Sequence, residues 1–204
     1  MQRWIAPQQR SEYPACRFAV HPLQGNPWLE SEMKIYRGKI KQIAEEITRD
    51  LIKQEAIEVD ESAIPEVRLD IESVLRAYVD TDQRLTNEAR ALLEERHLDA
   101  SNFSRLKREL AKREGFGLGE EAMDWITDQL IEVIFHTAHV DEVWVEDHDL
   151  RRFMRPVLTR YSALESEVDE EVRRRIKNLN EGSTAWDIKY QQVLEDVKRR
   201  QGLE

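Results

Sequence analysis

Apolar residues recur at every third or fourth position along most of the chain, which is the period of an amphipathic α-helix. The first stripe begins soon after Met33 and consists of Ile40, Ile43, Ile47 and Leu51. Further helices are predicted to begin near Pro65, Thr86, Ser101, Gly119, Leu150 and Ser183, and one more carries Val168, Val172 and Ile176. Strand signals are confined to Val143, Trp144 and Val145, which suffice for one short extended piece. The pattern predicts an all-α fold.

The helix predicted from Gly119 has a broad apolar face on which Met123, Ile126, Leu130, Ile134 and Phe135 are expected to point inward. A glycine-rich segment, Gly115-Phe-Gly117-Leu-Gly119, precedes it. Glycine-rich turns before helices bind phosphate in some proteins, but here no strand precedes the turn and no Gly-Lys-Ser/Thr follows it. We therefore interpret the segment as a helix C-cap followed by a linker.

Residues 1–32 lack the helical period and contain four of the six prolines, Pro7, Pro14, Pro22 and Pro27. Proline fixes φ and removes a backbone donor, so this segment is a poor former of helices and strands. We predict an irregular N-terminal arm. Because Met33 directly precedes the first periodic helix, residues 1–32 are either a functional arm or an upstream extension.

The sequence resembles itself at an offset of 83 residues. Residues 43–95 align with residues 126–178 without a gap, and the apolar positions of three predicted helices stay in register. Tyr78 falls on Tyr161, and both follow a Val-Leu pair, so both rings are predicted to be buried. We predict internally duplicated helix-loop-helix-helix units with an added C-terminal helix. The predicted domains are the arm (1–32), a first helical repeat unit (33–100), a linker helix with the second repeat unit (101–182) and a C-terminal amphipathic helix (183–204).

Two stretches resemble a known bacterial family. These are MKIYRGKIKQIAEEI, from Met33 to Ile47, and the longer central segment from Leu106 to Arg152. Together they resemble domain-of-unknown-function family 507 over about residues 33–163. The resemblance implies a bacterial cytoplasmic protein that starts at the position of Met33. It implies no activity, substrate or catalytic residue.

Composition and charge predict the cellular compartment of the protein and the kinds of partner to expect. The chain has 31 basic and 41 acidic side chains, and its formal net charge of −10 disfavours non-specific nucleic-acid binding. Cys16 is the single cysteine, so it cannot form an internal disulfide, and a reducing compartment is expected. No apolar run approaches the roughly 20 residues that span a bilayer, and no secretory signal opens the chain. We expect a cytoplasmic protein without a membrane partner.

The segment 136–149 concentrates three of the five histidines with several carboxylates. His136 and His139 at i and i+3 would share one helix face, and nearby carboxylates could complete a Zn²⁺, Mn²⁺ or Fe²⁺ site. The candidate ligands are His136, His139, Asp141, Glu142 and His148. A His-Glu-x-x-His motif is missing from the segment. The alternative is a helix C-terminus at which histidine stabilises the dipole, followed by a solvated acidic turn. We predict no cofactor.

Two basic helices are candidates for contacts with nucleic-acid phosphates. Their residues are Arg105, Lys107, Arg108, Lys112 and Arg113 on one helix and Arg151, Arg152 and Arg155 on the other. Basic stretches in an acidic protein more often pair with its own carboxylates, and no interleaved aromatic residues indicate base stacking. Nucleic acid is therefore a possible but not the favoured partner.

The sequence identifies no reaction, so we expect a binding protein rather than an enzyme. The favoured function is a helical interaction or adaptor protein of the bacterial cytoplasm, with protein partners or self-association. The alternative is a metal-dependent or nucleic-acid-associated activity built on the segment from His136 to His148 and on the basic helices.

Overall fold

A computed structural model describes residues 35–177 and 184–203. The predicted irregular arm, residues 1–32, lies outside the described residues. The described part is mainly helical, as predicted, with one very small sheet. Its elements are α1 (Ile40–Lys53), β1 (Ile57–Glu58), α2 (Ile64–Glu95), α3 (Phe103–Glu114), α4 (Ala122–His136), β2 (Glu142–Val143), α5 (Asp147–Ser162), α6 (Leu164–Arg175) and α7 (Thr184–Gln201).

The helices form where the apolar period is regular. In α1 the predicted stripe Ile40, Ile43, Ile47 and Leu51 is buried. Pro65 lies in the first turn of α2. A backbone N–H at this position would have no acceptor within the helix, so proline, which lacks that N–H, costs no hydrogen bond there. Gly115 ends α3 in the left-handed conformation, with φ of 65°, as expected for a C-cap glycine.

The structure corrects the helix predicted to begin at Thr86. Helix α2 runs without a break from Ile64 to Glu95, and Thr86 lies inside it. Threonine favours an N-cap only when the preceding helix has ended. Here Tyr78, Leu85 and Ala89 are all buried and continue one helical stripe through the position, so packing overrides the cap preference.

Two residues predicted to lie in the core are more exposed than expected. Phe135 was expected to point inward but is 48% exposed, because the buried stripe of α4 follows Ile126, Leu130 and Ile134 and leaves the next residue on the outer side. Tyr161 was expected to be buried like Tyr78 but is only half-buried. Its hydroxyl donates a hydrogen bond to Glu46 Oε1 at 2.8 Å.

The main core lies between five helices, α1 to α5. Helix α1 packs against α2 and α5, α4 packs against the same two helices, and α3 lies along α2. A second, smaller core joins α6 and α7 and includes Tyr36, Val168, Val172, Ile176, Val197 and Leu203. Trp186 and Tyr190 stack on its edge with ring centroids 4.9 Å apart. The C-terminal helix therefore pairs mainly with α6.

The glycine-rich segment is a packed linker between α3 and α4. Phe116 lies between Tyr78 and Trp125, with ring centroids 4.9 Å from each. The indole N–H of Trp125 donates to the Gly115 carbonyl at 2.8 Å. A Cβ at Gly117 would lie 2.5 Å from the Trp125 Cβ, so this position requires the absence of a side chain.

The order helix–strand–helix occurs twice in the described chain, as α1–β1–α2 and as α4–β2–α5. We call these the first half and the second half. The two strands pair antiparallel, with Ile57 opposite Val143 and Glu58 opposite Glu142. The repeated order is compatible with an internal duplication, and the duplication itself stays a prediction.

Candidate interaction surface

The two-stranded ribbon joins the connections of both halves at one end of the helical bundle. Helix α1 ends in a turn at Glu55, whose φ is 53°, and the chain then enters β1. Two hydrogen bonds extend the pairing, from Asp141 N to the Glu58 carbonyl at 2.9 Å and from Trp144 N to the Ala56 carbonyl at 3.0 Å. These bonds extend the pairing by one residue beyond β2 at each end, to Asp141 and Trp144.

Alternation along the ribbon places one apolar ring among carboxylates. Successive side chains of an extended segment point to opposite sides, so Glu142 and Trp144 share the outer side, and Glu146 follows after a bend at Val145. Trp144 is 61% exposed, and both glutamates are exposed. The neighbouring residues Val143 and Val145 are half-buried and pack against the main core. We call Glu58, Glu142, Trp144 and Glu146 the ribbon surface.

The pairing register brings two negative charges face to face on this surface. Glu58 lies directly opposite Glu142, and both side chains are exposed. Like charges in opposed cross-strand positions destabilise a ribbon by a fraction of a kcal/mol to about 1 kcal/mol. Glu58 was not singled out in the sequence because its partner lies far away in the chain. For β2, the alternation Glu-Val-Trp-Val-Glu in the sequence could have indicated which side chains point outward.

A hydrogen-bonded cluster fastens the ribbon end to α2. The hydroxyl of Thr137 donates to Asp70 Oδ2 at 2.5 Å, and His139 Nδ1 lies 2.9 Å from the same oxygen. The backbone N–H of His139 also donates to the Thr137 hydroxyl at 3.2 Å. These contacts tie the chain after α4 to the second turn of α2. Asp70 carries no sequence motif, so only the structure reveals its role.

The candidate metal ligands have separate partners. His136 Nδ1 lies 2.7 Å from the Glu132 carbonyl, His139 contacts Asp70, and Asp141 Oδ2 accepts the backbone N–H of Asp60 at 3.1 Å. His148 is exposed, with its two ring nitrogens each 3.4 Å from a carboxylate, one of Glu146 and one of Asp149. Glu142 faces Glu58. Across residues 35–177 and 184–203, no three His, Cys, Asp or Glu side chains are grouped to hold a metal ion.

Most of the candidate nucleic-acid residues face carboxylates of the same molecule. Arg151 pairs with Asp128, Arg155 with Asp124, and Arg152 with Asp149 at 2.8 Å. On α3, Lys107 pairs with Asp82 at 2.8 Å, Arg105 with Glu109 at 4.0 Å and Arg113 with Glu88 at 3.7 Å. Arg108 and Lys112 are exposed. The two basic helices do not form one continuous basic surface, because neighbouring acids interrupt them.

Comparison with known proteins returns a family and no function. The model of the family described as "Protein of unknown function (DUF507)" matches residues 33–203, which is most of the chain. This confirms the resemblance and extends it beyond residue 163. No curated protein matches the chain. In the described residues no helix is both long and apolar enough to cross a membrane.

Proposed function

We propose that this chain, which belongs to the DUF507 family, is a protein-binding module that recruits a partner protein through the ribbon surface. The observation that carries the proposal is an exposed tryptophan beside two opposed glutamates, Glu58 and Glu142. A surface selected only for stability gains nothing from this arrangement. Local conflicts of this kind are expected where a surface serves a function.

Binding would relieve both unfavourable features. Tryptophan is enriched among the residues that dominate protein–protein binding energy, since its large ring is amphipathic and loses little conformational entropy. A partner that covers Trp144 removes its apolar ring from water. A basic side chain placed between Glu58 and Glu142 would turn a repulsion into two attractions.

The partner suited to this surface presents basic residues around an apolar pocket. Glu146 and the adjacent Asp147 are also exposed, so the rim around Trp144 is acidic. The formal net charge of −10 would speed the encounter with a positively charged protein, mainly at low ionic strength. We place this binding in the bacterial cytoplasm, on the strength of the family resemblance and the single cysteine.

Capture from a bacterial lysate on the immobilised chain tests the proposal. Wild type should retain a defined basic protein, and Trp144→Ser should lower its affinity by at least about 30-fold, the size of a tryptophan hot spot of 2 kcal/mol or more. Leu98→Ser is the matched control, because Leu98 is also an exposed apolar residue but follows the far end of α2. Equal capture by all three proteins would contradict the proposal.

A charge reversal separates binding from stability. Glu142→Lys places a lysine opposite Glu58, so the ribbon should gain about 0.2–1 kcal/mol while the basic partner binds more weakly. Urea unfolding and binding measured on the same protein give the two results. A variant that is both less stable and weaker in binding would show that the glutamates serve the fold rather than a partner.

A further inference from the structure

A second surface is a groove between α1 and the start of α2. It has a volume of about 480 Å³ and is mostly apolar. Thr48, Ile52 and Ile64 line its interior. Thr48 is buried, and its hydroxyl donates to the Ala44 carbonyl at 2.8 Å, so the base of the groove offers no free polar group there.

The rim of this groove is basic. Arg49, Lys53 and Arg68 line it together with one acid, Glu45. Arg49 lies 3.4 Å from the carboxylate of its neighbour Asp50, and both groups are well exposed. Neither Lys53 nor Arg68 makes an ion pair with any carboxylate in the part of the chain that the structure describes. An occupant with an apolar group and a negative charge would therefore fit.

The second half presents such a group on the outer side of α4. Glu132 and Phe135 lie three residues apart and so share one helix face, and both are exposed. Phe135 is 48% exposed, so much of this large apolar residue is in contact with water. In the 83-residue alignment, Glu132 takes the position of Arg49 and Phe135 that of Ile52. At this one pair of matching positions, Arg49 and Glu132, the two halves therefore carry opposite charges.

We propose that a second copy of this chain docks in the groove, with Phe135 between Ile52 and Ile64 and with Glu132 facing Arg49 and Lys53. Shape and charge both support this occupant, since an apolar ring meets an apolar groove and a carboxylate meets two cations. Each molecule carries both the ring and the groove, so two copies can satisfy each other or a row can form. The inference does not depend on the ribbon surface.

The contact seats a single ring in a groove of about 480 Å³, so we expect a weak and reversible association. Interfaces that bury less than about 1,200 Å² belong to the transient class. Opposite charges at the rim make the association weaken as salt rises, because ions screen exposed charges beyond about 10 Å at 0.1 M ionic strength.

Sedimentation velocity on charge-reversed variants tests the contact. Glu132→Lys gives a basic ring side facing a basic groove. The double variant Arg49→Glu with Lys53→Glu leaves three acids and Arg68 at the rim, so that an acidic groove faces an acidic ring side. Each variant alone should lose at least about tenfold in association, because like charges then meet. An equimolar mixture should associate as wild type does, since each variant complements the other. A mixture that stays monomeric, or a wild type that is monomeric at about 1 mM, would overturn the inference.

Two further variants keep the test decisive. Phe135→Ser removes the ring at an exposed position and should abolish self-association while leaving the melting temperature nearly unchanged. Trp144→Ser should leave self-association intact, because it changes only the ribbon surface. If Trp144→Ser abolished the association and Phe135→Ser did not, the contact would lie at the ribbon and the groove assignment would be wrong.

Discussion

In the first half of the molecule the outer surface of α1 and α2 forms a groove with Arg49, Lys53 and Arg68 on its rim. In the second half the corresponding α4 surface carries Glu132 and a protruding Phe135. Part of the interior, by contrast, is the same in both halves. Ile43 and Ile126, at matching positions in the 83-residue alignment, are both fully buried.

The contrast shows which positions the fold constrains. A close-packed interior tolerates few changes in volume, and the buried aliphatic residues Ile47 and Leu51 of α1 match the buried aliphatic residues Leu130 and Ile134 of α4. Exposed positions can change charge at little cost in stability, so they are free to take up binding. Function in this protein is therefore best sought where the halves differ rather than where they agree.

The largest expected difference between the halves lies at the two tyrosines. Tyr78 is 3% exposed, and its ring centroid is 4.9 Å from that of Phe116, so Tyr78→Ala should cost about 3–5 kcal/mol. Tyr161 is half-buried with one hydrogen bond to Glu46, so Tyr161→Ala should cost only about 1–2 kcal/mol. Urea unfolding measures both. Equal losses would mean that the two sites are energetically equivalent despite their different burial.

The linker that joins the halves gives the next largest effect. Gly117→Ala places a methyl group 2.5 Å from the Trp125 Cβ and 2.8 Å from the Glu121 carbonyl oxygen. Relieving this overlap should cost about 1–3 kcal/mol and disturb the Tyr78–Phe116–Trp125 cluster. Thermal unfolding and near-ultraviolet circular dichroism should change together. An unchanged aromatic spectrum would show that the close approach is not required.

The connections after α1 and α4 should differ by a smaller amount. Thr137→Val removes the hydroxyl that donates to Asp70 in the second connection and should cost about 1–2 kcal/mol. Ser62→Ala in the first connection removes a hydroxyl that only contacts Asp60 at the surface, and should cost less than about 0.5 kcal/mol. Chemical unfolding of both variants measures the two losses of stability. A larger loss in Ser62→Ala than in Thr137→Val would contradict the prediction.

The smallest effect is the pH dependence of the first connection. Hydrogen bonds from the Ser62 hydroxyl and backbone N–H lower the pKa of Asp60. Because the folded pKa is depressed, this stabilisation is present above the unfolded value of about 3.9 and is lost as the pH falls through the lower folded value. Between pH 5 and pH 2, the melting temperature of Asp60→Asn should therefore fall by less than that of the wild type. Identical acid profiles would assign the acid sensitivity to other groups.

Local patterns were enough to predict most of the fold. The α1 stripe, the Pro65 start of α2 and the Gly115 cap depend on residues within one or two turns, so the sequence contains their cause. The unbroken α2 was missed because packing of Leu85 and Ala89 overrides the local preference of Thr86. Phe135 was misplaced because it borders the buried stripe of α4.

The candidate surface was much harder to predict. Trp144 was recognised only as part of an extended piece, and Glu58 was not noticed. Their importance arises from the pairing of β1 with β2, and strand register between distant segments is not encoded in either segment alone. Asp70 was missed for the same reason, since its partners Thr137 and His139 belong to the other half.

Photo-crosslinking from position 144 tests the central claim most directly. A photoreactive residue in place of Trp144 should form a covalent adduct with a different, basic protein in living cells. The same residue at Leu98, which follows the far end of the roughly 48 Å long helix α2, should not form it. The adduct from position 144 should also weaken when Glu142→Lys is added. The same adducts from both positions, or none from position 144 except a second copy of the chain, would contradict a partner-binding ribbon surface.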